Sequence, residues 1–360
     1  MNQDLRNICA LTLVLFGGML GATPLSKAPP NVIEPMNISA PITPRAQHAA
    51  LLGVALAGER MVAVGERGIV LFSDDKGVSW QQSQVPVGVT LTVVRFADAL
   101  HGWAAGHNGI LLKTIDAGAT WTRVLDGNDV IALYQQQAKV LGEKEDNEQA
   151  QRATRQAAQL ASDGPDKPWL DMNIDANGEL WLVGAYGLAL HSRDGKLWEP
   201  WSAHLDNPND LHLYAIKTQG NEIVIAGEQG LLLRSMDDGA TFQRLNSPYK
   251  GSFFVLELHD GEIVVAGLRG YAFRSVDHGG HFEPVILSAP VSVTASLRLQ
   301  TGDVVLADQA GTLYRLAGDR LLKLDASAGS SPSAFVESAD GTLVSVGRLG
   351  PSNISATLRP

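Results

Sequence analysis

The chain repeats itself, and the period of that repeat constrains its fold more than any other feature. Val64-Gly65-Glu66-Arg67-Gly68 leads through Ile69-Val70-Leu71-Phe72 into Ser73-Asp74-Asp75-Lys76-Gly77-Val78-Ser79-Trp80. The same two-part pattern returns as Gly106-His107-Asn108-Gly109 followed by Thr114-Ile115-Asp116-Ala117-Gly118-Ala119-Thr120-Trp121. A third copy joins Gly184-Ala185-Tyr186-Gly187 to Ser192-Arg193-Asp194-Gly195 and Trp198, one residue short. A fourth joins Gly227-Glu228-Gln229-Gly230 to Ser235-Met236-Asp237-Asp238-Gly239-Ala240-Thr241-Phe242, and a fifth joins Gly267-Leu268-Arg269-Gly270 to Ser275-Val276-Asp277-His278-Gly279-Gly280-His281-Phe282. Asp308-Gln309-Ala310-Gly311 and Gly347-Arg348-Leu349-Gly350 are degenerate copies of the first half. The copies begin at 65, 106, 184, 227, 267, 308 and 347, so the intervals are 41, 78, 43, 40, 41 and 39. The long interval is one repeat plus an insertion.

A period of about 40 residues carrying several short strands is the signature of a β-propeller. The expected fold is all-β: seven four-stranded blades over 49–360, with a helical insertion at 127–168 between blades two and three. In the second unit the strands are expected at residues 91–96, 102–105, 110–114 and 121–125. The Ser-x-Asp-x-Gly-x-Thr-Trp segment suits a hairpin between third and fourth strands: its polar side chains bond nearby backbone and its glycine takes positive φ. Residues 32–40, within an N-terminal segment at 23–48, are expected to supply the missing outer strand of the last blade and so close the ring.

Three of these segments, 73–80, 114–121 and 235–242, match the Asp box, or bacterial neuraminidase repeat, in full. His281 and the shortened 192–198 depart from it. Combined with the upstream Gly-x-x-Gly, the pattern resembles the photosystem II stability/assembly factor family from about residue 51 onward, the insertion apart. The resemblance implies a seven-bladed, non-enzymatic propeller of the periplasm or thylakoid lumen that helps to assemble membrane protein complexes. It also implies that arginines on one face contact the partner, and photosynthesis as the setting, although relatives occur in bacteria that do not photosynthesise.

Composition narrows the partners. The formal net charge of −10 opposes nucleic acid as the main partner. Arg6 and the apolar run from Ile8 to Ala22 read as a signal peptide, 1–22, with cleavage after Ala22. The one cysteine, Cys9, lies inside that segment, so an exported mature chain has no disulfide or zinc-thiolate site. The expectation is an exported protein, peripheral at the membrane and monomeric, without cofactor.

The loops between second and third strands share a face with the inter-blade loops, opposite the Asp boxes. That face carries Glu66, Arg67, His107, Asn108, Tyr186, Glu228, Gln229, Arg269 and Arg348. The expected partner-binding set is Arg67, His107, Asn108, Tyr186, Glu228, Arg269 and Arg348. Guanidinium groups on blades one, five and seven would take carboxylates of a partner; the alternative is that they are ordinary solvated loop residues. The insertion, with Ile131, Tyr134, Ala138 and Leu141 at helical spacing and Ala150, Ala153, Ala157 and Leu160 as a second stripe, reads as a docking element or channel lid, or as decoration on its own blades.

The competing reading is a carbohydrate-active propeller, either a sialidase-like glycoside hydrolase or a glycan-binding protein. A glycosidase needs two carboxyls close together, whereas Glu66 and Glu228 belong to blades one and four; Asp206, Asp210 and Asp308 are a further set. The sialidase Phe/Tyr-Arg-Ile/Leu-Pro motif is absent. Asp277, His278 and His281 read as turn residues rather than metal ligands, and Gly65-Glu66-Arg67-Gly68 lacks the helix of a phosphate loop. The aromatic series at 80, 121, 198, 242 and 282 reads as packing rather than sugar binding. No catalytic, metal or cofactor residue is assigned.

Overall fold

A computed structural model describes residues 34–144, 147–329 and 331–354. The expected signal peptide, residues 1–22, lies outside them. Seven antiparallel sheets follow one another along the chain, six of four strands and the last of three. The first is Leu51–Ala57, Arg60–Gly65, Val70–Ser73 and Gln81–Gln82. The second, Leu91–Phe96, Gly102–Gly106, Leu111–Thr114 and Thr122–Leu125, falls within a residue of the strands read from sequence. The innermost strand of each sheet lies beside that of the next. Leu51–Ala57 of the first sheet also lies beside Pro332–Glu337 of the last, so the sheets stand as blades in a ring. Among the described residues no strand ladder joins one blade to another, a single bridge between Gln84 and Thr120 linking the outer parts of blades one and two.

The core is divided among the joints between blades. Val62, Val64 and Val70 of blade one pack with Leu91, Val94 and Leu112 of blade two, and Ala63 and Leu71 pack with Val344 and Val346 of blade seven. Strands covered on both faces read as continuous apolar runs, as in Ile223-Val224-Ile225-Ala226. The Asp-box aromatics belong to this core: Trp80, Trp121, Trp198 and Phe242 are buried, and Trp121 Nε1 donates to Gly118 O at 3.0 Å.

Each Asp box is a self-bonded turn. In 73–80 the Ser73 hydroxyl accepts from Gly77 N–H at 2.8 Å, while Asp75 accepts from the Ser79 N–H at 2.8 Å and its hydroxyl at 2.6 Å. His281 replaces the hydroxyl in blade five, its Nδ1 meeting Asp277 Oδ2 at 2.7 Å. The hydrogen bond from Ser79 lowers Asp75 to about 2. Backbone and side-chain hydrogen bonds also depress Asp194, Asp237 and Asp277, and Asp116 through Thr120 and Thr114 despite partial burial.

The last blade departs from expectation. Residues 34–40 do not add a strand to it. They carry a single 3-10 turn, Pro35–Asn37, and lie against blade one's outer linker, Ala40 N–H donating to Val85 O at 3.0 Å and Gly88 N–H to Pro35 O at 2.8 Å. The reason is visible in the sequence: Pro35 and Pro41 lack the N–H that a paired strand supplies. A second 3-10 turn, Ala46–His48, reaches blade seven instead, with Gln47 O against Gly350. The N-terminal segment thus occupies the place of the linker that a following blade would have had.

Two helices, α1 (Gly127–Lys144) and α2 (Glu148–Asp163), come between the last strand of blade two and the first of blade three. Asn147 caps α2, its side chain accepting from Ala150 N–H at 2.9 Å. Among the described residues, no helix is long and apolar enough to cross a membrane.

Candidate functional site

The Gly-x-x-Gly loops are built to display one side chain each. The first glycine backs onto its own blade: a Cβ on Gly65 would stand 2.1 Å from Ala50 O, and on Gly106 2.2 Å from Thr90 O. The second, at positive φ, backs onto the inter-blade linker, where a Cβ on Gly68 would meet Val87 O at 2.0 Å. With both glycines pinned, the third residue of the loop takes the left-handed conformation, uncommon outside glycine. Arg67, Asn108, Tyr186, Gln229 and Arg269 have φ of 56°, 57°, 57°, 54° and 58°. Arg67, Tyr186, Gln229 and Arg269 are exposed and Asn108 is half-buried. In blade seven the loop is a two-residue hairpin between Gly347 and Gly350, and both Arg348 and Leu349 are exposed.

The expected residues divide into two kinds. Among the described residues, no hydrogen bond or ion pair reaches the side chains of Arg67, Arg269, Arg348 or His107. Arg67 and Arg348 stand on neighbouring blades; Arg269 stands on blade five, with the exposed Leu268 and Tyr271 beside it. Glu228 is different. Its carboxylate accepts the His212 N–H at 3.2 Å, as Glu66 accepts the Ala50 N–H at 3.0 Å, so each fixes the start of its own innermost strand. The seven residues share a face but are spread round the ring.

Three residues not singled out in the sequence extend Tyr186 inward. Tyr186 N–H donates to His212 Nδ1 at 2.8 Å, and their rings meet edge-on at 4.9 Å. His212 meets Tyr214 at 6.1 Å, and Tyr214 meets Phe254 at 5.3 Å. Burial, with the nearby Glu228 carboxylate, holds the Tyr214 phenol above its usual range. The signal was positional: Tyr214 and Phe254 are each the second residue of an innermost strand, the place where Leu52 and Thr92 stand in blades one and two.

Tyr214 and Phe254 line a central cavity of about 520 Å³ whose wall is made by all seven innermost strands. Its charges are matched across blade joints. Arg95 bonds Asp171 at 2.8 Å, the other Asp171 oxygen accepts the Ile216 N–H at 3.0 Å, and Glu257 joins Lys217 at 3.6 Å and the Ser296 hydroxyl at 2.6 Å. Asp206 and Asp210 lie on the loop between blades three and four, paired with Arg244 and Arg152, whereas Asp308 is buried in blade six and caps its own loop at Ala310 and Thr312.

Among the described residues, none of the insertion lines this cavity. Val130, Tyr134, Ala138, Ala153, Ala157 and Leu160 pack instead on blades two and three. The Tyr134 hydroxyl accepts from Ala189 N–H at 3.0 Å and meets the Ser202 hydroxyl at 2.7 Å. Burial pushes that phenol up to about 12. The hairpin also braces the Tyr186 loop: Gln156 Nε2 donates to Tyr186 O at 3.4 Å, and the Lys167 ammonium stands 5.4 Å from the Tyr186 ring centre.

Known proteins share both the fold and the motifs. A streptogramin B lyase structure covers 89% of this chain and 97% of its own, with a TM-score of 0.65 at 11% identity. A structure of YCF48 bound to a D1 peptide covers 87% of this chain and 95% of its own, with a TM-score of 0.60 at 14% identity. At such identities the likeness is one of fold, and the two differ in what they do. The Photosystem II assembly protein Ycf48 of Thermosynechococcus vestitus (strain NIES-2133 / IAM M-273 / BP-1) is 42% identical over 53 residues, a stretch that spans 14% of this chain and only 15% of that protein. The family model described as photosynthesis system II assembly factor YCF48 matches residues 72–144 and 149–317, more than half of the chain. The chain belongs to the photosynthesis system II assembly factor YCF48 family.

Proposed function

We propose that this propeller is an exported, non-enzymatic assembly or stability factor that binds a polypeptide of a membrane or envelope protein complex through its Gly-x-x-Gly face. The observation that carries this reading is the set of exposed side chains of Arg67, Arg269 and Arg348, without partners among the described residues, in a chain of net charge −10. Guanidinium forks left open on one face match carboxylates supplied by another molecule. Family membership and the D1 peptide held by a YCF48 of the same fold support a polypeptide as that molecule. Glu228 serves as a brace in this scheme, and His107, Asn108 and Tyr186 as neighbouring contacts. The protein acts in a periplasm or lumen-equivalent compartment, peripheral at the membrane and as a monomer.

The test is crosslinking in intact cells followed by affinity purification and mass spectrometry, with a variant carrying Arg67→Glu, Arg269→Glu and Arg348→Glu. A specific membrane complex should be recovered with the native chain and lost with the folded variant. Equal recovery would place the interaction elsewhere.

A further inference from the structure

The row formed by Tyr186, His212, Tyr214 and Phe254 is not explained by packing alone. Tyr186 is 51% exposed, and the three inner rings are half-buried at the channel mouth rather than enclosed. Blade joints are already filled by other aromatics, such as Phe253 and Trp169, which are fully buried. The row runs from rim to channel across blades three, four and five. The exposed ring and half-buried walls, with Leu170 of blade three at the same level, leave apolar surface in water.

Its polar fittings point to a polypeptide. Because His212 Nδ1 accepts the Tyr186 N–H, the neutral ring carries its proton on Nε2, which has no partner among the described residues. That N–H is a single donor set between two aromatic rings, the arrangement that receives a backbone carbonyl while a side chain lies on the rings. Positive charge flanks the row at Arg269 and at Lys250, which lies in the loop before the first strand of blade five, both exposed. The carboxylates of the adjoining loops are engaged: Glu228 by the His212 N–H, Asp210 by Arg152, and Asp163 and Asp166 by Lys167. The surface therefore complements an acidic chain that carries an apolar residue.

We infer that Tyr186, His212, Tyr214 and Phe254 form an aromatic subsite that takes an apolar side chain of the same acidic polypeptide segment that the arginines hold. This rests on the polypeptide-binding reading above. The helical hairpin acts as a positioning element here, since Gln156 and Lys167 fix the loop that presents Tyr186.

The test uses the full chain with a photo-crosslinking phenylalanine derivative at position 186, 254 or 67 in separate variants, and at position 276 on the Asp-box face as control. Positions 186 and 254 should capture the same partner segment as position 67, and 276 should not. That segment, made as a synthetic peptide, should bind Tyr186→Ser and Phe254→Ser about tenfold more weakly than the native chain, with Tyr186→Phe restoring affinity. Capture by 67 without 186 or 254, or unchanged affinity in the serine variants, would overturn the subsite while leaving the polypeptide-binding face intact. Capture by none of the three would overturn both. If oligosaccharides bound the purified chain and lost affinity in the serine variants, the row would belong to a glycan and the inference would fall.

Discussion

Gly68 has a φ of +73°, and a Cβ there would stand 2.0 Å from a backbone oxygen; Gly142, inside α1, has nothing within 4 Å of the same position. The two should respond oppositely to alanine. Gly68→Ala is expected to cost about 2 kcal/mol or more, from strain and overlap together, whereas Gly142→Ala should add about 0.5 to 1 kcal/mol by restricting the unfolded chain. Thermal unfolding of the two variants measures both. The Asp boxes give a second residue-scale expectation. Asp75 titrates at about 2 in the folded chain, below an ordinary aspartate, so the unfolded state takes up the proton first as the medium is acidified. The stabilisation is present above the ordinary aspartate range and is lost as pH falls from there through about 2. Asp116, Asp194, Asp237 and Asp277 are shifted in the same direction and add to the slope. Asp75→Asn with Asp116→Asn should lower Tm at neutral pH and flatten its fall in acid; an unchanged slope would show that the carboxylates do not act through these turns. The turn chemistry was legible in sequence because every bond runs between residues two to four apart. What Glu66 and Glu228 bond was not, because their partners Ala50 and His212 lie 16 residues away and are main-chain groups.

At the scale of elements, the hairpin of α1 and α2 shows where periodicity informs and where it stops. The stripe of Ile131, Tyr134, Ala138 and Leu141 marked the buried side of α1, and the four residues of the second stripe are all buried. Periodicity gives the face of a helix but not the surface it meets, and so it does not foretell that the hairpin packs on blades two and three. The anchor is Tyr134. Its hydroxyl shares Ala189 N–H with Ser202, and Ser202 also donates to Gly187 O at 2.8 Å in the loop that presents Tyr186. Tyr134→Phe keeps the ring but removes the hydroxyl from this network, which should cost about 1 to 2 kcal/mol. Tyr134→Ala also opens a cavity and should cost about 3 to 5 kcal/mol. Denaturant midpoints with unchanged m-values would report both. If Tyr134→Phe left the midpoint where it was, the hydroxyl network would not be what seats the hairpin.

At the scale of the whole molecule, the seven-fold count was legible because the first half of the motif recurs even where the second is lost. The closure was not. An outer strand for blade seven is the economical expectation, since propellers remove free edges by joining the ends of the chain. The N-terminal segment does join the ends, but as a linker. Ala46 and Ala49 pack with Leu51 and Val346, Gln47 Nε2 donates to Trp80 O at 3.0 Å, and Gln47 O fills the space beside Gly350. The exposed ion pair of Lys76 and Asp340 adds a tie on the opposite face, weak because both groups are in water. The joint between blades seven and one therefore draws, besides the packing of Ala63 and Leu71 on Val344 and Val346, on contacts that a short deletion removes, and Arg348 and Arg67 stand on its two sides. A chain beginning at residue 50 should lose several degrees of Tm relative to one beginning at residue 34, and its amide protection should fall first in blades seven and one. Partner affinity should fall with it even though every expected contact residue is retained, because the two arginines are no longer held in one arc. Equal protection and equal affinity in the two chains would mean that the ring closes through its inner strands alone. Loss of protection with full affinity would mean that the partner is held by blades three to five, and that the aromatic row rather than the arginine arc is the principal contact.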